Sequence, residues 1–281
     1  MVTPFTDDGA AVSEARLRAY CDFLIDRGAG GLFAFGTTGE WTLLSEAERI
    51  VGARVLAQQA RRRVPVIVHA GAHATGQAVH LAMAAREAGA DAVSLISPPF
   101  FPLDDAALFD HFTTVARAVA GLPVFLYNIP EFARNDISPG LLLRVAGKAD
   151  NVIGLKYSGD SLTLFRQYRR AVGAGFSLFN GNDSLALPAL HEGADGLVSG
   201  NASARPELLA SLYGLFRDGR YREAADKQRE LDDFITARDP SCELSSFKAM
   251  LAHRGVPVGD VRPPLKRLSA EDKAALRRLL P

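Results

Sequence analysis

Cysteine is scarce in this chain, and long apolar runs are absent. Only Cys21 and Cys242 occur among the 281 residues. Two thiols so far apart in sequence make no disulfide framework, which is typical of a reducing cytosol. No stretch of about 18 apolar residues could span a membrane, and the first residues lack the basic and apolar regions of a signal peptide. The sequence predicts a cytoplasmic protein that does not enter the membrane.

Net charge is also lacking. Lysine plus arginine and aspartate plus glutamate each total 32, so no basic excess exists to bind nucleic acid or an anionic membrane surface. An anionic substrate would therefore need a local binding site. What the chain does have is apolar residues, which make up 48% of it. Its length fits two domains or a single α/β barrel, a fold of about 250 residues before additions.

Short apolar runs alternate with amphipathic stretches along most of the chain. Runs without clean polar alternation are typical of parallel strands covered on both faces. The predicted strands are Val2–Pro4, Gly31–Phe35, Val64–His69, Ala92–Ile96, Val124–Tyr127, Val152–Tyr157, Phe176–Asn180 and Gly196–Ser199. Helical patterns follow them, and several open with a capping residue such as Ser45, Asp104 or Ser138.

Eight strands, each followed by a helix, predict an α/β protein with a (β/α)₈ TIM barrel over residues 1–218. A doubly wound open sheet is the rival. Only helical patterns follow about Ala204, so residues 219–281 are predicted to form a C-terminal helical extension. The first predicted strand is short, which residues missing before Met1 would explain.

Lys156 ends an apolar strand pattern, Val152–Leu155, and is followed by Tyr157-Ser158. Burial disfavours the ammonium form of a lysine, and a neutral amine can condense with a ketone. An ordinary lysine that leaves a strand for solvent would give the same local pattern.

The active site of a barrel lies at the carboxyl ends of its strands. Tyr127 ends the strand before that of Lys156, and neighbouring strands lie about 5 Å apart, so phenol and amine are within reach. Thr37 and Thr38, between glycines, offer hydroxyls and backbone N–H groups that could bind a carboxylate. A tight turn and a core tyrosine are the structural alternatives.

Several motifs together resemble one family. The chain is similar to the dihydrodipicolinate synthase/N-acetylneuraminate lyase family of pyruvate-dependent class I aldolases. The resemblance covers nearly the whole chain, and the motifs that carry it are Thr3-Pro4-Phe5, GTTGE (Gly36–Glu40), YNIP (Tyr127–Pro130), Gly154-Leu155-Lys156, GADGLVSG (Gly193–Gly200) and PVGDVRPPL (Pro257–Leu265).

The resemblance implies a carbon–carbon lyase that needs no cofactor or metal, because Lys156 itself forms a Schiff base with pyruvate or another 2-oxo acid. An aldehyde is then the second partner. Tyr127 is implied as the proton shuttle, and Thr37 and Thr38 as carboxylate ligands. Backbone around Gly181 and Ser199 would line the pocket, and a homotetramer is implied as the assembly.

Some positions depart from the dihydrodipicolinate synthases of this family. Those enzymes usually carry an arginine five residues after the catalytic tyrosine, where this chain has Phe132, with Arg134 two positions further on. They also borrow a tyrosine from a neighbouring subunit, out of the loop where this chain has Phe100-Phe101. Phenylalanine can neither pair with a carboxylate nor relay a proton.

These departures favour a 2-keto-3-deoxy sugar acid or a sialic-acid-like substrate over aspartate semialdehyde. Ser158, Asp183, Ser184 and Asn201 could hydrogen-bond sugar hydroxyls, or they could cap helices. The alternative is the dihydrodipicolinate synthase reaction, whose substrates are pyruvate and aspartate semialdehyde.

Other classes of function stay open. His69 and His73 invite a metal-dependent enzyme, but no acidic or histidine partner clusters with them in the sequence. Glu40 is either a catalytic acid or a structural hydrogen-bonding group. A barrel that binds a 2-oxo acid without catalysis is the last alternative, since two relay hydroxyls are missing.

Overall fold

A parallel sheet forms the centre of the fold. The computed structural model describes residues 1–280, and its seven strands are ordered in the sheet as they are in the sequence. The predicted α/β class with a parallel sheet is therefore confirmed. The strands are β1 (Leu32–Ala34), β2 (Val66–His69), β3 (Ala92–Ile96), β4 (Val124–Asn128), β5 (Val152–Tyr157), β6 (Ser177–Asn180) and β7 (Gly196–Leu197).

Helices alternate with the strands, beginning with a helix before β1, and the last helices follow β7. They are α1 (Glu14–Asp26), α2 (Glu46–Ala60), α3 (Thr75–Glu87), α4 (Asp105–Ala118), α5 (Pro130–Ala133), α6 (Pro139–Ala146), α7 (Leu162–Val172), α8 (Ala186–His191), α9 (Pro206–Arg217), α10 (Tyr221–Thr236), α11 (Glu243–His253) and α12 (Ala270–Ala275). Ser45, Asp104 and Ser138 are N-caps, as predicted. Within residues 1–280, no helix is both long and apolar enough to cross a bilayer.

The predicted first strand, Val2–Pro4, is wrong. Those residues form no ladder with any strand, and a single bridge joins Phe5 to Val12. Pro4 has no N–H to donate to a ladder, and the Thr3 hydroxyl donates instead to the carbonyl of Gly39 at 2.6 Å. Helix α5 was not predicted either, because a four-residue turn is too short to show a helical period.

Two compact units divide the chain. The first unit comprises Met1–Val66 together with the residues from Ser199 on. Within it, the amide of Leu32 in β1 donates to the carbonyl of Pro65, which precedes β2. Helices α9 and α10 pack on each other in the same unit.

A buried ion pair holds the GTTGE turn in the first unit. Glu40 has a left-handed backbone (φ 59°), and its Oε1 lies 2.6 Å from Nζ of Lys248 in α11, with both side chains fully buried. The second carboxylate oxygen accepts the backbone N–H of Arg262 at 3.0 Å, and Lys248 Nζ donates to the carbonyl of Asp260 at 3.0 Å. These contacts favour the structural interpretation of Glu40 over a catalytic one.

The second unit comprises Ile67–Val198 and contains strands β3 to β7. Strands β4 and β5 pair with a register shift, because Val124 lies opposite Val152 while Phe125 lies opposite Gly154. The shift makes Ile153 an extra residue, a β-bulge. After it the pairing is regular, so that Tyr127 lies opposite Lys156 and Asn128 opposite Tyr157.

Gly154 is required by the ring of Phe125. A Cβ at position 154 would overlap two atoms of that ring and lie 2.9 Å from the carbonyl of Ser177. The Phe125 ring also stacks on Phe179, with centroids 5.1 Å apart. Glycine thus leaves room for a stacked aromatic layer beneath the strand ends.

The buried side chain of His111 should make the folded protein less stable at acidic pH. Its side chain is buried in α4, with Nδ1 2.9 Å from the Thr75 hydroxyl. Burial lowers the pKa of His111 from 6.5 to about 4. The unfolded chain therefore binds more protons between these pH values, so stability is full above pH 6.5 and falls by about 3 kcal/mol as the pH drops through the window. Urea unfolding of the wild type and His111→Gln across this range should show a flatter profile for the variant; equally steep profiles would contradict the assignment.

Candidate active site

Lys156 and Tyr127 meet at the carboxyl ends of β5 and β4. Their side chains are 8% and 1% exposed, and Lys156 Nζ lies 4.0 Å from the centroid of the Tyr127 ring. The two residues are directly paired in the sheet, so their side chains share one face. The ordinary surface lysine considered from the sequence is therefore not what the structure contains.

Ser158 and Gly181 lie near the end of the Lys156 side chain. A Cβ at position 181 would lie 2.7 Å from Lys156 Cε and would overlap the Ser158 hydroxyl. The amide of Gly181 donates to the carbonyl of Tyr157 at 2.7 Å, which continues the pairing of β5 and β6. In the described part of the chain the buried Ser158 hydroxyl has no hydrogen-bond partner. Three of the predicted site residues, Tyr127, Ser158 and Gly181, thus lie close to the end of the Lys156 side chain.

His69 was missed as a neighbour of this pair. It ends β2, is buried, and meets the Tyr127 ring edge-on with centroids 5.8 Å apart. Its Nδ1 lies 3.3 Å from the hydroxyl of Ser94 in β3. The sequence singled out His69 only as a possible metal ligand. Its position at a strand end was the signal that could have placed it beside Tyr127.

Thr37 and Thr38 lie in the first unit. The Thr37 carbonyl accepts the N–H of Glu40 at 3.0 Å, and both threonines are partly exposed in this tight turn. A Cβ at Gly200 would lie 3.3 Å from the Thr38 hydroxyl. The turn predicted from the glycine-flanked motif is therefore present, and its role in binding a carboxylate stays a prediction.

The other predicted polar ligands have structural contacts. Ser199, in the first unit, accepts the N–H of Ala202 at 2.9 Å, as a capping serine does. Asn201 is buried and accepts from the guanidinium of Arg238. In the second unit, Asp183 opens a short 3₁₀ turn after β6. Its role in binding substrate stays a prediction.

Two loops of the second unit carry exposed phenylalanines. Phe100 and Phe101 follow β3, and Phe132 lies in α5 after β4. The buried Asn135 amide donates to the carbonyls of Pro98 and Phe101, at 2.8 and 2.9 Å, and so holds the two loops together. Phe100 adopts φ 87°, a region that non-glycine residues rarely occupy.

Metal ligation finds no support in this arrangement. Among the described residues, 1–280, no three histidine, cysteine, aspartate or glutamate side chains are grouped as a metal would require. The chemistry that the geometry does offer is that of an enclosed amine with a phenol beside it. Such a pair can attack a carbonyl and move a proton.

Comparison with known proteins agrees with this chemistry. The model of the family described as "Dihydrodipicolinate synthetase family" matches residues 1–281. A 4-hydroxy-tetrahydrodipicolinate synthase of Methanopyrus kandleri is 31% identical over 280 residues, which cover 100% of this chain and 93% of that protein.

Solved structures give the same result. A prophage protein of the dihydrodipicolinic acid synthase family from E. coli K12, in complex with pyruvate, superposes with a TM-score of 0.92 at 31% identity, covering 99% of this chain and 94% of that one. A sialic acid aldolase of Ruminococcus gnavus gives a TM-score of 0.94 at 26% identity, covering 99% and 93%. A second structure of that aldolase is described as its catalytic lysine mutant.

These findings define the class as carbon–carbon lyases, specifically pyruvate-dependent class I aldolases. The chain belongs to the dihydrodipicolinate synthetase family. Enzymes of this family bind pyruvate as a Schiff base on a catalytic lysine and need no metal or other cofactor.

Proposed function

We propose that Lys156 is the Schiff-base lysine of an aldolase that cleaves or forms a bond between pyruvate and an aldehyde. The observation that carries the proposal is the enclosure of Lys156, with Nζ 4.0 Å from the centroid of the Tyr127 ring. Among residues 1–280, Lys156 is the lysine that lies within a strand, and it lies near the carboxyl end of that strand. Lys248, the other buried lysine, is paired with Glu40.

The chemistry then needs only these two side chains. The neutral amine of Lys156 attacks C2 of the 2-oxo acid, and a proton passes from nitrogen to the former carbonyl oxygen. The Tyr127 phenol protonates that hydroxyl, which leaves as water, and an iminium and a phenolate remain. The phenolate takes a proton from C3 to give a neutral enamine, whose C3 attacks the aldehyde. The Tyr127 phenol then protonates the alkoxide that forms, and water hydrolyses the iminium to release the product and restore the amine. Cleavage is the reverse, with the iminium accepting the electron pair of the C3–C4 bond.

The substrate-binding roles rest on the family resemblance. Thr37 and Thr38 would bind the carboxylate of the 2-oxo acid through hydroxyl and backbone N–H groups. The Ser158 hydroxyl, which lacks a partner within the described chain, would bind a substrate oxygen. Gly181 would leave room for the imine, and Asp183 and Ser199 would line the distal part of the site.

The substrate that we propose is a 2-keto-3-deoxy sugar acid or a sialic-acid-like acid. Phe132 and the Phe100-Phe101 pair support this choice. A phenylalanine can neither bind the carboxylate of aspartate semialdehyde nor relay a proton. The names of curated relatives favour the alternative, 4-hydroxy-tetrahydrodipicolinate synthesis. A barrel that binds a 2-oxo acid without turnover is a third candidate, favoured only by the missing relay hydroxyls.

One experiment separates these candidates. The protein is incubated with pyruvate and borohydride, and the modified residue is located by mass spectrometry. Cleavage or condensation is then measured with 2-keto-3-deoxygluconate, 2-keto-3-deoxygalactonate, N-acetylneuraminate, and pyruvate plus aspartate semialdehyde. An adduct on Lys156 with turnover of a sugar acid supports the proposal. Turnover only with pyruvate plus aspartate semialdehyde supports the alternative. Pyruvate binding without adduct or turnover supports the non-catalytic barrel.

Tyr127→Phe tests the proton shuttle. The variant should still form the borohydride-trapped pyruvate adduct once it has equilibrated with pyruvate, because loss of the phenol slows imine formation without removing the amine of Lys156. Its kcat should fall by about 10²–10⁴-fold, the contribution of a positioned acid–base group. Steady-state kinetics with the best substrate of the panel measure the loss. An undiminished kcat would remove Tyr127 from the proton path.

The remaining assignments concern architecture. We propose that the sheet closes as a barrel over residues 1–218, that residues 219–281 form a helical extension, and that the protein is a cytoplasmic homotetramer. Full-length TM-scores of 0.92 and 0.94 with family structures support the barrel. Sedimentation equilibrium tests the tetramer, which a monomeric mass would exclude.

A further inference from the structure

Asn128 is a fully buried amide immediately after Tyr127 in β4. Its Nδ2 donates to the Asp136 carboxylate at 2.6 Å and to the Tyr168 hydroxyl at 2.9 Å. Its Oδ1 accepts the N–H of Ile137 at 3.4 Å. The Tyr168 hydroxyl in turn donates to the carbonyl of Ile137. Both donors of the amide are thus used, and one side chain joins β4, α7 and the loop after α5.

The backbone of Asn128 makes a further connection. Its carbonyl accepts the N–H of Ser158 at 2.9 Å, and Ser158 lies two residues after Lys156. Opposite Asn128 in the sheet is Tyr157, whose ring packs 5.5 Å from that of Tyr168. Burial raises the pKa of both tyrosines, so each stays a neutral hydroxyl. The strand ends that bear Tyr127 and Lys156 are therefore fastened to each other through Asn128.

Side chains alternate across a strand, so Tyr127 and Asn128 point to opposite faces. Tyr127 faces Lys156, whereas Asn128 faces the helix and the loop behind the sheet. The loop that leaves the site after Tyr127 returns to Asn128 at Asp136 and Ile137. Asn128 therefore closes this loop on the strand end without facing the amine.

We propose that Asn128 is a positioning residue for proton transfer by Tyr127. Resting on the proposed Schiff-base function, the inference is that the buried amide fixes the end of β4, and with it the phenol, relative to the imine carbon. Attack by Lys156 depends on the amine and its access to the ketone, which Asn128 does not face. Proton transfer depends on the distance from phenol to C3, and a displacement of about 1 Å can lower a rate by about 10²-fold.

The test uses pyruvate alone, so it does not depend on the identity of the aldehyde. Enamine formation exchanges the methyl protons of pyruvate with solvent, which proton NMR follows in D₂O, and borohydride trapping reports the imine. Asn128→Asp keeps the shape but removes both donors and sets a carboxylate against Asp136. We expect its exchange rate to fall about tenfold or more, with trapping after equilibration at saturating pyruvate within about twofold of the wild type.

Two further variants sharpen the result. The double variant Asn128→Asp/Asp136→Asn returns an amide–carboxylate pair and should regain most of the exchange rate. Asn151→Asp is the matched control, because that amide donates to three carbonyls, of Ala116, Val119 and Leu122, just before β5 begins. It should lower the melting temperature and leave the exchange rate of the folded enzyme unchanged.

Each other outcome overturns the inference. Unchanged exchange in Asn128→Asp removes the positioning role. Parallel loss of trapping and exchange, or an equal loss of exchange in Asn151→Asp, makes the amide merely structural. A wild type that traps pyruvate without exchange removes Tyr127, and so Asn128, from proton transfer. A wild type that traps no pyruvate overturns the proposed function itself, which is a distinguishable failure.

Discussion

Lys156→Ala will abolish the borohydride-trapped pyruvate adduct and lower turnover on the order of a thousandfold or more, because no amine remains to form the imine. Lys156 pairs with Tyr127 in the sheet through its backbone, which alanine leaves intact. The fold should therefore survive its removal. Intact-mass spectrometry measures the adduct, pyruvate release measures turnover, and circular dichroism checks the fold.

Lys148→Ala is the matched control for that variant. Lys148 is exposed in the turn after α6, and its removal should leave both adduct and rate as in the wild type. A pyruvate adduct on Lys156→Ala protein, or residual retro-aldol turnover above the uncatalysed rate, would show that another nucleophile performs the reaction. The assignment of Lys156 would then be wrong.

Among the variants proposed for this protein, Lys248→Met should cause the largest loss in the free energy of unfolding. The substitution leaves the Glu40 carboxylate buried without its cation, and breaking a buried ion pair in this way costs about 3–5 kcal/mol. Burial lowers the pKa of Lys248 and the Glu40 carboxylate opposes that effect, so the charge of Lys248 depends on the carboxylate beside it. Urea unfolding with an unchanged m-value should show the loss as a lower midpoint.

The double variant Lys248→Met/Glu40→Gln removes both charges and should regain part of the lost stability. Lys273→Met is the control for a solvated pair: its amine lies 2.9 Å from the Asp260 carboxylate, and both side chains are partly exposed. That substitution should cost less than about 1 kcal/mol. A Lys248→Met protein as stable as the Lys273→Met protein would show that the buried pair contributes little to the fold.

The pairing of Lys156 with Tyr127 was accessible from the sequence for a physical reason. In a parallel sheet built in chain order, residues that end consecutive strands become neighbours, so two recognisable strand ends are enough to bring amine and phenol together. Ser158 and Gly181 follow from the same argument. The wrong strand at Val2–Pro4 shows the limit of this argument, because an apolar run that contains a proline need not join a ladder.

The contacts of Asn128 were not accessible in this way. Its partners Asp136 and Tyr168 lie in a loop and a helix, and only tertiary packing turns their side chains toward one amide. The partner of Glu40 is equally remote in sequence, since Lys248 lies on α11. Pairing rules relate strand to strand, but they do not say which polar groups meet behind the sheet.

The extra residue at Ile153 separates two halves of β5. Alternation of side chains restarts after it, because Phe125 pairs with Gly154 and not with Ile153. Insertion or loss of a residue before Gly154 can therefore be absorbed by the irregularity, without rotating Lys156 to the opposite side of the sheet. The end of this strand where the chain enters can therefore change in length while the reactive amine keeps its orientation.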